Sequence, residues 1–268
     1  MQCVPHVGLA AKHLYVFQRT PSAIDDRGNS PTNPDWAKSL QPGWQRERNH
    51  NFSCLLAGIP VEEDLVNDGW TELFKSLSEL LDGSGAVDLT SEELKYLGEI
   101  VDFKKGNRTR ARVERTVKDP TTAEALKAWY RPWCKRPTFN DEFLPTFNLP
   151  NVTLVDTSST GIERITAKGV VVDGKEYEID CLMFATGFEV SRATYTRQAE
   201  LEVYGRDGVA LGDYWARGMR TYHGMLSHGF PNCFHMGFTQ TGYTPNFTCS
   251  TTKRSTSPQW WPTPRGVA

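Results

Sequence analysis

Residues 181–187 read Cys-Leu-Met-Phe-Ala-Thr-Gly, an apolar run that ends in a small polar residue and a glycine. The apolar part predicts a buried strand, because short continuous apolar runs are typical of strands covered on both faces. A glycine at the end of a strand lets another group approach the backbone closely. We therefore expect the strand to stop at Thr186 and Gly187 beside something outside the sheet. The alternative is an ordinary strand end with a glycine turn.

Further strands are predicted upstream of this run. Residues 13–17, 152–155 and 170–172 are short, β-prone and apolar. Asp173-Gly174 follows the last of them and predicts a tight hairpin, since both residues tolerate positive φ. We expect this hairpin to lead into the strand that ends at Gly187.

Helix signals alternate loosely with the strands. Residues 1–12 resemble the latter part of a helix, and residues 61–81 have apolar side chains at helical spacing. Thr90 or Ser91 predicts the N-cap of another helix, and a further one is expected from Asp119-Pro120 to Trp129. This order favours an α/β or α+β class with a mixed sheet, in one large domain or two small ones.

The composition of the 268 residues excludes some partners. Lys and Arg number 30 against 32 Asp and Glu, so the net charge gives no case for binding nucleic acid or a membrane surface. The sequence also lacks an apolar run near the roughly 18 residues of a membrane-spanning helix. Six cysteines lie far apart, without metal-ligand or redox spacing. We interpret them as free thiols in a reducing compartment and expect a cytoplasmic protein.

Residues 104–115 carry a cluster of cations. Such a cluster could bind a polyanion. We favour a solvated helix face, because aromatic residues that would stack on bases are not interleaved with the cations.

Arg19 follows the predicted strand at residues 13–17, in the run Phe17-Gln18-Arg19-Thr20-Pro21. In a Rossmann unit, an Arg at the carboxyl end of the second strand can pair with the 2′-phosphate of NADP. The simpler interpretation, an exposed Arg after any strand, is favoured by the spacing alone.

Lys135 and Arg136 are adjacent cations before a proline-marked turn. In an extended segment neighbouring side chains point in opposite directions, so each would serve a different neighbour. They could be surface cations. Alternatively, one could bind a cofactor phosphate and the other a developing oxyanion.

The ordered set of motifs resembles the Baeyer–Villiger branch of the flavin-dependent (class B, FAD and NADPH) monooxygenases. The resemblance covers residues 2–248. It rests on Phe-Gln-Arg-Thr-Pro at 17–21, on Asp-Pro at 119–120 with Cys-Lys-Arg-Pro at 134–137, on Asn-Val-Thr-Leu-Val-Asp at 151–156, on Ala-Thr-Gly-Phe at 185–188 and on Gly-Phe-Pro-Asn at 229–232. Each short motif is weak alone, and the set in this order is specific.

The resemblance implies a role for each matching residue. Arg19, Thr20 and Lys135 would bind the 2′-phosphate of NADPH, and Arg136 would stabilise the anionic species that attacks a ketone carbonyl. Ala185, Thr186 and Gly187 would lie near FAD. The implied reaction inserts one oxygen of O₂ beside a ketone carbonyl, giving an ester or lactone, in a setting of secondary metabolism. An N- or S-oxygenating flavin monooxygenase is the alternative within enzymes.

The resemblance also implies a fold and a division of the chain. The fold is a partial, Rossmann-like flavoprotein fold of the α/β class with two dinucleotide-binding domains and a helical insertion. Residues 1–140 would form part of the NADPH-binding domain with the insertion, and residues 141–248 the C-terminal part of the FAD-binding domain. Residues 249–268 depart from the family pattern, and we expect an aberrant, disordered tail.

The family's Gly-x-Gly-x-x-Gly loops and its Phe-x-Gly-x-x-x-His-x-x-x-Trp fingerprint do not occur in this sequence. Such loops place helix N-termini against the cofactor pyrophosphates. We therefore expect this chain alone to hold FAD poorly. One hypothesis is that a partner chain supplies the missing half; the other is that the sequence is a non-catalytic remnant or a truncated gene model.

Overall fold

A computed structural model describes residues 1–57, 59–72, 75, 90–131, 134–135, 137–187, 200–222 and 224–235. The described helices are α1 (Cys3–Ala10), α2 (Pro34–Ser39), α3 (Trp44–Leu56), α4 (Ser91–Thr116), α5 (Pro120–Ala125), α6 (Phe143–Thr146) and α7 (Leu211–Tyr214). The strands are β1 (Leu14–Gln18), β2 (Ile24–Asp25), β3 (Thr138–Phe139), β4 (Val152–Asp156), β5 (Arg164–Ile165), β6 (Gly169–Val172) and β7 (Lys175–Glu178).

The strands form three small sheets. β1 pairs with β4 in parallel, with Leu14 opposite Val152, and β2 pairs with β3 in parallel, with Ile24 opposite Thr138. β5, β6 and β7 form an antiparallel sheet. Parallel pairing needs long crossover connections, and helices supply them here.

The described chain divides into two compact units. The first contains Met1–Trp44 and Cys54–Leu182, and the second contains Gln45–Ser53 and the part of the chain from Met183 onward. The expected domain boundary near residue 140 stays a prediction about the complete fold. Within the first unit, β1 and β4 pair across that position.

The core of the first unit lies where α4, α5 and α6 meet the parallel strands. Its buried members include Ile24 on β2, Val113 on α4 and Leu144 on α6. α1 packs closely, because a Cβ at Gly8 would lie 2.8 Å from a methyl group of Thr146. A smaller core joins Val155 to Val170 and Val172, between β4 and the hairpin sheet.

Two local signals in the sequence are confirmed. Asp173 and Gly174 have φ values of 50° and 73°, and they join β6 to β7 as the hairpin turn. Thr90 is the N-cap of α4, and with Glu93 it forms a reciprocal capping box.

The expected solvated face of cations on α4 is wrong for part of the cluster. Arg112 is only 7% exposed, and Lys105 is also largely enclosed. Lys105 and Arg108 form ion pairs with the buried carboxylate of Asp25 and with Glu72. These cations bind acidic side chains from distant parts of the sequence, and so connect α4 to β2.

The expected buried strand at residues 181–184 is also wrong. Residues 181–187 are not a strand, and Met183 and Phe184 are 61% and 72% exposed. Among the described residues, this segment has no neighbouring strand to pair with its backbone or cover its side chains. Only Leu182 packs against the core around Val155. An apolar run forms a buried strand only where a sheet is present to receive it.

Other expectations concern helix lengths and the tail. Residues 61–68 are not helical and a helix starts at residue 69, while most of the rest of the expected helix over 61–81 lies outside the described residues. α5 ends at Ala125, short of Trp129. The expected tail at 249–268 lies outside the described residues as well. In the part of the chain that is described, no helix is long and apolar enough to cross a membrane.

The second unit has its own small core. Leu211, Trp215 and Phe230 are buried together. Gly205 lies tightly against this core, since a Cβ there would meet the carbonyl oxygen of Gly229 at 2.6 Å. Part of the Gly-Phe-Pro-Asn motif at 229–232 is therefore a packing element of this unit.

Candidate functional site

Arg19 and Thr20 lie directly after the carboxyl end of β1, and both are exposed. Gln18, the last residue of β1, fixes this end of the strand, because its Nε2 donates to the carbonyl oxygen of Ala125 at 2.9 Å. Ala125 is the last residue of α5. The end of β1 is thereby held against the end of that helix.

A second set of bonds holds the chain just beyond Thr20. The backbone N–H of Ala23 donates to the hydroxyl oxygen of Tyr130 at 3.1 Å. The carbonyl oxygen of Ala23 accepts from the hydroxyl of Thr138 at 2.7 Å. The parallel pairing of β2 and β3 begins one residue later, at Ile24. The chain leaving β1 and the chain entering β3 are thus joined side by side.

The contacts of Ala23 with Tyr130 and Thr138 form a joint between the two segments, and Lys135 lies beside it. Its ammonium nitrogen is 4.8 Å from the centre of the Tyr130 ring, which is within the range of a cation–π interaction. Because Ile24 pairs with Thr138, the residues shortly before β2 and those shortly before β3 lie at the same end of the strand pair. The pairing therefore places the chain that leads from Arg19 into β2 beside the chain that leads from Lys135 into β3, although the sequence separates them by more than a hundred residues.

The electrostatics of this site suit an anion. Neither Arg19 nor Lys135 has a carboxylate within ion-pair distance among the described residues, whereas Lys105, Arg108 and Arg112 do. Burial raises the pKa of the Tyr130 hydroxyl, and the hydrogen bond from Ala23 offsets only part of that rise. The phenol therefore stays neutral at physiological pH and adds no negative charge beside Lys135.

The segment 185–187 belongs to the second unit. Ala185, Thr186 and Gly187 are exposed, so their backbone groups can be reached by a ligand. Gly187 has a φ of 88°, a conformation that favours glycine, and a Cβ there would meet nothing within 4 Å. The backbone conformation thus favours a glycine here, and the space beside it is open.

A buried histidine lies elsewhere in the second unit. His235 is fully buried, its Nε2 is 3.0 Å from the hydroxyl of Ser227, and its ring is 4.8 Å from that of Trp215. Burial lowers the pKa of His235, so the imidazole is neutral near pH 7. These contacts fit a packing role for Trp215 and His235. Groups of His, Cys, Asp and Glu that could hold a metal do not occur in the described part of the chain.

No protein-family model matches the chain. Individual relatives do match it. A Baeyer–Villiger monooxygenase of Stachybotrys chlorohalonatus is 47% identical over 248 residues, which cover 92% of this chain and 40% of the relative. Pentalenolactone D synthase of Streptomyces arenae is 49% identical over 243 residues, covering 90% of this chain and 41% of the synthase.

Solved structures give the same result. A polycyclic ketone monooxygenase from Thermothelomyces thermophila superposes with a TM-score of 0.79 at 40% identity, over 95% of this chain and 42% of the other. The open form of cyclohexanone monooxygenase superposes with a TM-score of 0.68 at 25% identity, over 94% and 50% of the two chains. The chain belongs to the Baeyer–Villiger monooxygenase family. The expected partial α/β flavoprotein fold is confirmed by these superpositions.

The chain spans about two fifths of the length of these Baeyer–Villiger relatives. Of the site residues predicted from the sequence, Arg19 and Thr20 follow β1 and come a few residues before β2, and Lys135 comes a few residues before β3. Arg136, the predicted catalytic residue, lies outside the described residues.

The sequence did not predict that Tyr130 and Gln18 support the candidate site of this Baeyer–Villiger monooxygenase chain. Gln18 was visible only as part of a motif, and its contact with Ala125 spans 107 positions. Tyr130 stands in an aromatic stretch directly before the Lys135 motif. That neighbourhood of an aromatic ring and a cation is the signal that could have identified it.

Proposed function

We propose that this chain carries the NADPH 2′-phosphate site and a flavin-facing segment of a Baeyer–Villiger monooxygenase. The reaction inserts one oxygen of O₂ beside a ketone carbonyl, forming an ester or a lactone. The observation that supports this most directly is the joint between the segments of Arg19 and Lys135, built by Ala23, Tyr130 and Thr138.

Arg19, Thr20 and Lys135 would bind the 2′-phosphate of NADPH. A guanidinium offers fixed paired donors to phosphate oxygens, an ammonium adds a point charge, and a hydroxyl adds one more donor. The absence of carboxylate partners for both cations within the described residues supports this role. A carboxylate at this position would instead favour a free ribose hydroxyl, as in NAD.

Ala185, Thr186 and Gly187 would lie against FAD, and Arg136 would stabilise the negative charge that develops during oxygen transfer. The open space beside Gly187 fits a ligand that approaches the backbone. A relative in Hypomyces subiculosus is named an FAD-binding monooxygenase, and a structural neighbour was crystallised with FAD and NADP. When bound, NADPH supplies the reducing equivalents and the flavin activates O₂.

The substrate class follows from the relatives. A polycyclic ketone monooxygenase and pentalenolactone D synthases are among the proteins similar to this chain. We therefore assign it a ketone substrate of secondary metabolism. We also propose the reducing, cytoplasmic setting that the wide spacing of the six cysteines predicts.

Firm retention of FAD would depend on residues beyond this sequence, whether in a partner chain or in a longer form of the protein.

The test is to purify the chain, add FAD, NADPH and a polycyclic ketone, and follow flavin absorbance, NADPH oxidation and the product mass. Gain of one oxygen as an ester or lactone is expected once the complementary half is present. A sulfoxide or N-oxide from matched substrates would favour the alternative oxygenating class. A colourless chain that stays inactive even with that half supplied would show a non-catalytic protein.

A further inference from the structure

We infer that Tyr130 is a positioning residue that holds Lys135 and the Arg19 segment in one arrangement, and thereby sets the preference for nucleotides with a 2′-phosphate. The inference rests on the proposed function, since it concerns the same cationic site. The contacts of Tyr130 divide into one made by its hydroxyl and one made by its ring.

The hydroxyl oxygen accepts the backbone N–H of Ala23 at 3.1 Å. Ala23 lies only a few residues after Arg19, so this bond limits where the segment from Arg19 to Ala23 can lie. The carbonyl of the same residue is bonded to Thr138, which leaves that peptide little freedom to turn. The hydroxyl therefore fixes the Arg19 half of the site.

The ring fixes the Lys135 half. A lysine side chain has high rotamer entropy, and ordering it on binding costs affinity. The ammonium of Lys135 lies 4.8 Å from the ring centre, so part of that ordering is already complete. Since the side chain is otherwise exposed, the ring is the described group that restrains it.

An aromatic ring restrains a cation without consuming its hydrogen bonds. Lys127 is held instead by the carboxylates of Glu114 and Glu124, which occupy its N–H donors and cancel its charge. The Tyr130 ring attracts the Lys135 ammonium through its quadrupole and leaves N–H groups free for phosphate oxygens. The neutral phenol also leaves the local charge positive. This arrangement suits a lysine that must be oriented and still be available to an anion.

The test is titration calorimetry on the purified chain with adenosine 2′,5′-bisphosphate and with adenosine 5′-monophosphate, which lacks the 2′-phosphate. The wild-type chain is expected to prefer the bisphosphate. Tyr130→Leu should weaken bisphosphate binding about threefold to tenfold, the size of a cation–π contact, and leave the monophosphate unchanged. Tyr130→Phe, which keeps the ring, should lose about twofold to threefold. Tyr96→Leu, at an exposed tyrosine of α4, is the matched control and should change neither affinity.

A double-mutant cycle separates positioning from a general structural effect. In a Lys135→Met background, Tyr130→Leu should lose only the twofold to threefold that Tyr130→Phe also loses, because the ring acts through the lysine and the hydroxyl acts through the Arg19 segment. If the Leu variant does not fold, the cycle is run with Tyr130→Phe, whose loss should persist in the Lys135→Met background because the hydroxyl acts on the Arg19 segment.

The possible failures are distinct. If Tyr130→Leu weakens the binding of both nucleotides equally, so that the preference for the bisphosphate is unchanged, the role of Tyr130 is overturned and the proposed site stays intact. A wild-type chain without preference for the 2′-phosphate would overturn the proposed site together with this inference.

Discussion

The guanidinium of Arg112 donates to the carbonyl oxygen of Ile24 at 3.2 Å, from a helix that lies 88 positions later in the sequence. The same group donates to the carbonyl oxygen of Asn140 at 3.1 Å and pairs with Asp26 at 2.5 Å. One side chain of α4 thus bridges β2 and the residue directly after β3. Because this pair orders the segments of Arg19 and Lys135, the helical insertion supports the proposed nucleotide site.

Arg112→Met is expected to destabilise the first unit by about 2–4 kcal/mol. The substitution keeps the apolar stem and leaves two carbonyl oxygens without a charged donor, each bond being worth about 1.5–3 kcal/mol. Urea unfolding followed by circular dichroism measures the change. Arg115→Met, at an exposed position of the same helix, is the control and should cost under about 0.5 kcal/mol. Equal effects of the two substitutions would contradict the bridging role.

The buried carboxylate of Asp25 makes stability depend on acid pH. Burial raises its pKa, and the hydrogen bonds from Lys105 and Arg108 lower it further than burial raises it, so the net pKa falls below the ordinary 3.8. A depressed folded-state pKa stabilises the fold above the unfolded pKa, and that stability is lost as pH falls through the folded value. We therefore expect the unfolding free energy to fall as pH drops below about 3.8.

Asp25→Asn tests this expectation. At pH 7 it should cost about 3–5 kcal/mol, because Lys105 stays buried without its nearest anion. The difference from wild type should narrow as pH falls from about 3.8 through the lower folded-state pKa of Asp25, because protonation then leaves both side chains uncharged. Urea midpoints measured from pH 7 to pH 2.5 give both curves. A constant difference across that range would show that the charge of Asp25 is not responsible.

The local signals in the sequence were sufficient for part of the fold. The Asp173-Gly174 turn and the Thr90 cap depend on residues within a few positions of each other, so the sequence order contains the information. The pairing of Lys105 with Asp25 spans 80 positions, and spacing alone gives no hint of it. The prediction of a buried strand at residues 181–184 was wrong for the opposite reason. Their composition is typical of a strand, but burial also needs a neighbouring strand, and the composition does not show whether one is present.

The candidate site shows the same division. The motifs identified Arg19 and Lys135 as cations of interest, because each stands in a distinctive local run. Their shared support by Tyr130 depends on the pairing of two short strands, β2 and β3. Strands of two residues are too short for a periodic pattern to reveal.

Thr90→Ala is expected to weaken α4 at its start. The Thr90 hydroxyl accepts the backbone N–H of Glu93, and the Glu93 carboxylate accepts the N–H of Thr90, which satisfies two donors at the helix end. Loss of such an N-cap costs about 1 kcal/mol. Hydrogen exchange of the first-turn amides should accelerate, while the last turn near Arg115 is unchanged. Thr90→Ser keeps the cap and should exchange like wild type; acceleration in that variant too would assign the effect to the methyl group.

Binding of adenosine 2′,5′-bisphosphate should depend on salt through the two cations of the site. Arg19→Ala and Lys135→Ala are each expected to weaken binding about tenfold, since a charge-assisted phosphate contact is worth roughly 1.5–3 kcal/mol and exposure to solvent reduces that value. Each variant should also flatten the dependence of affinity on salt concentration, because one fewer charge is neutralised. Calorimetry at two or more salt concentrations measures both effects. Lys168→Ala, at an exposed cation of the turn before β6, should leave affinity and salt dependence unchanged. If it reduces them as much as the site variants do, the nucleotide is bound by general surface charge and not by the pair that Tyr130 orders.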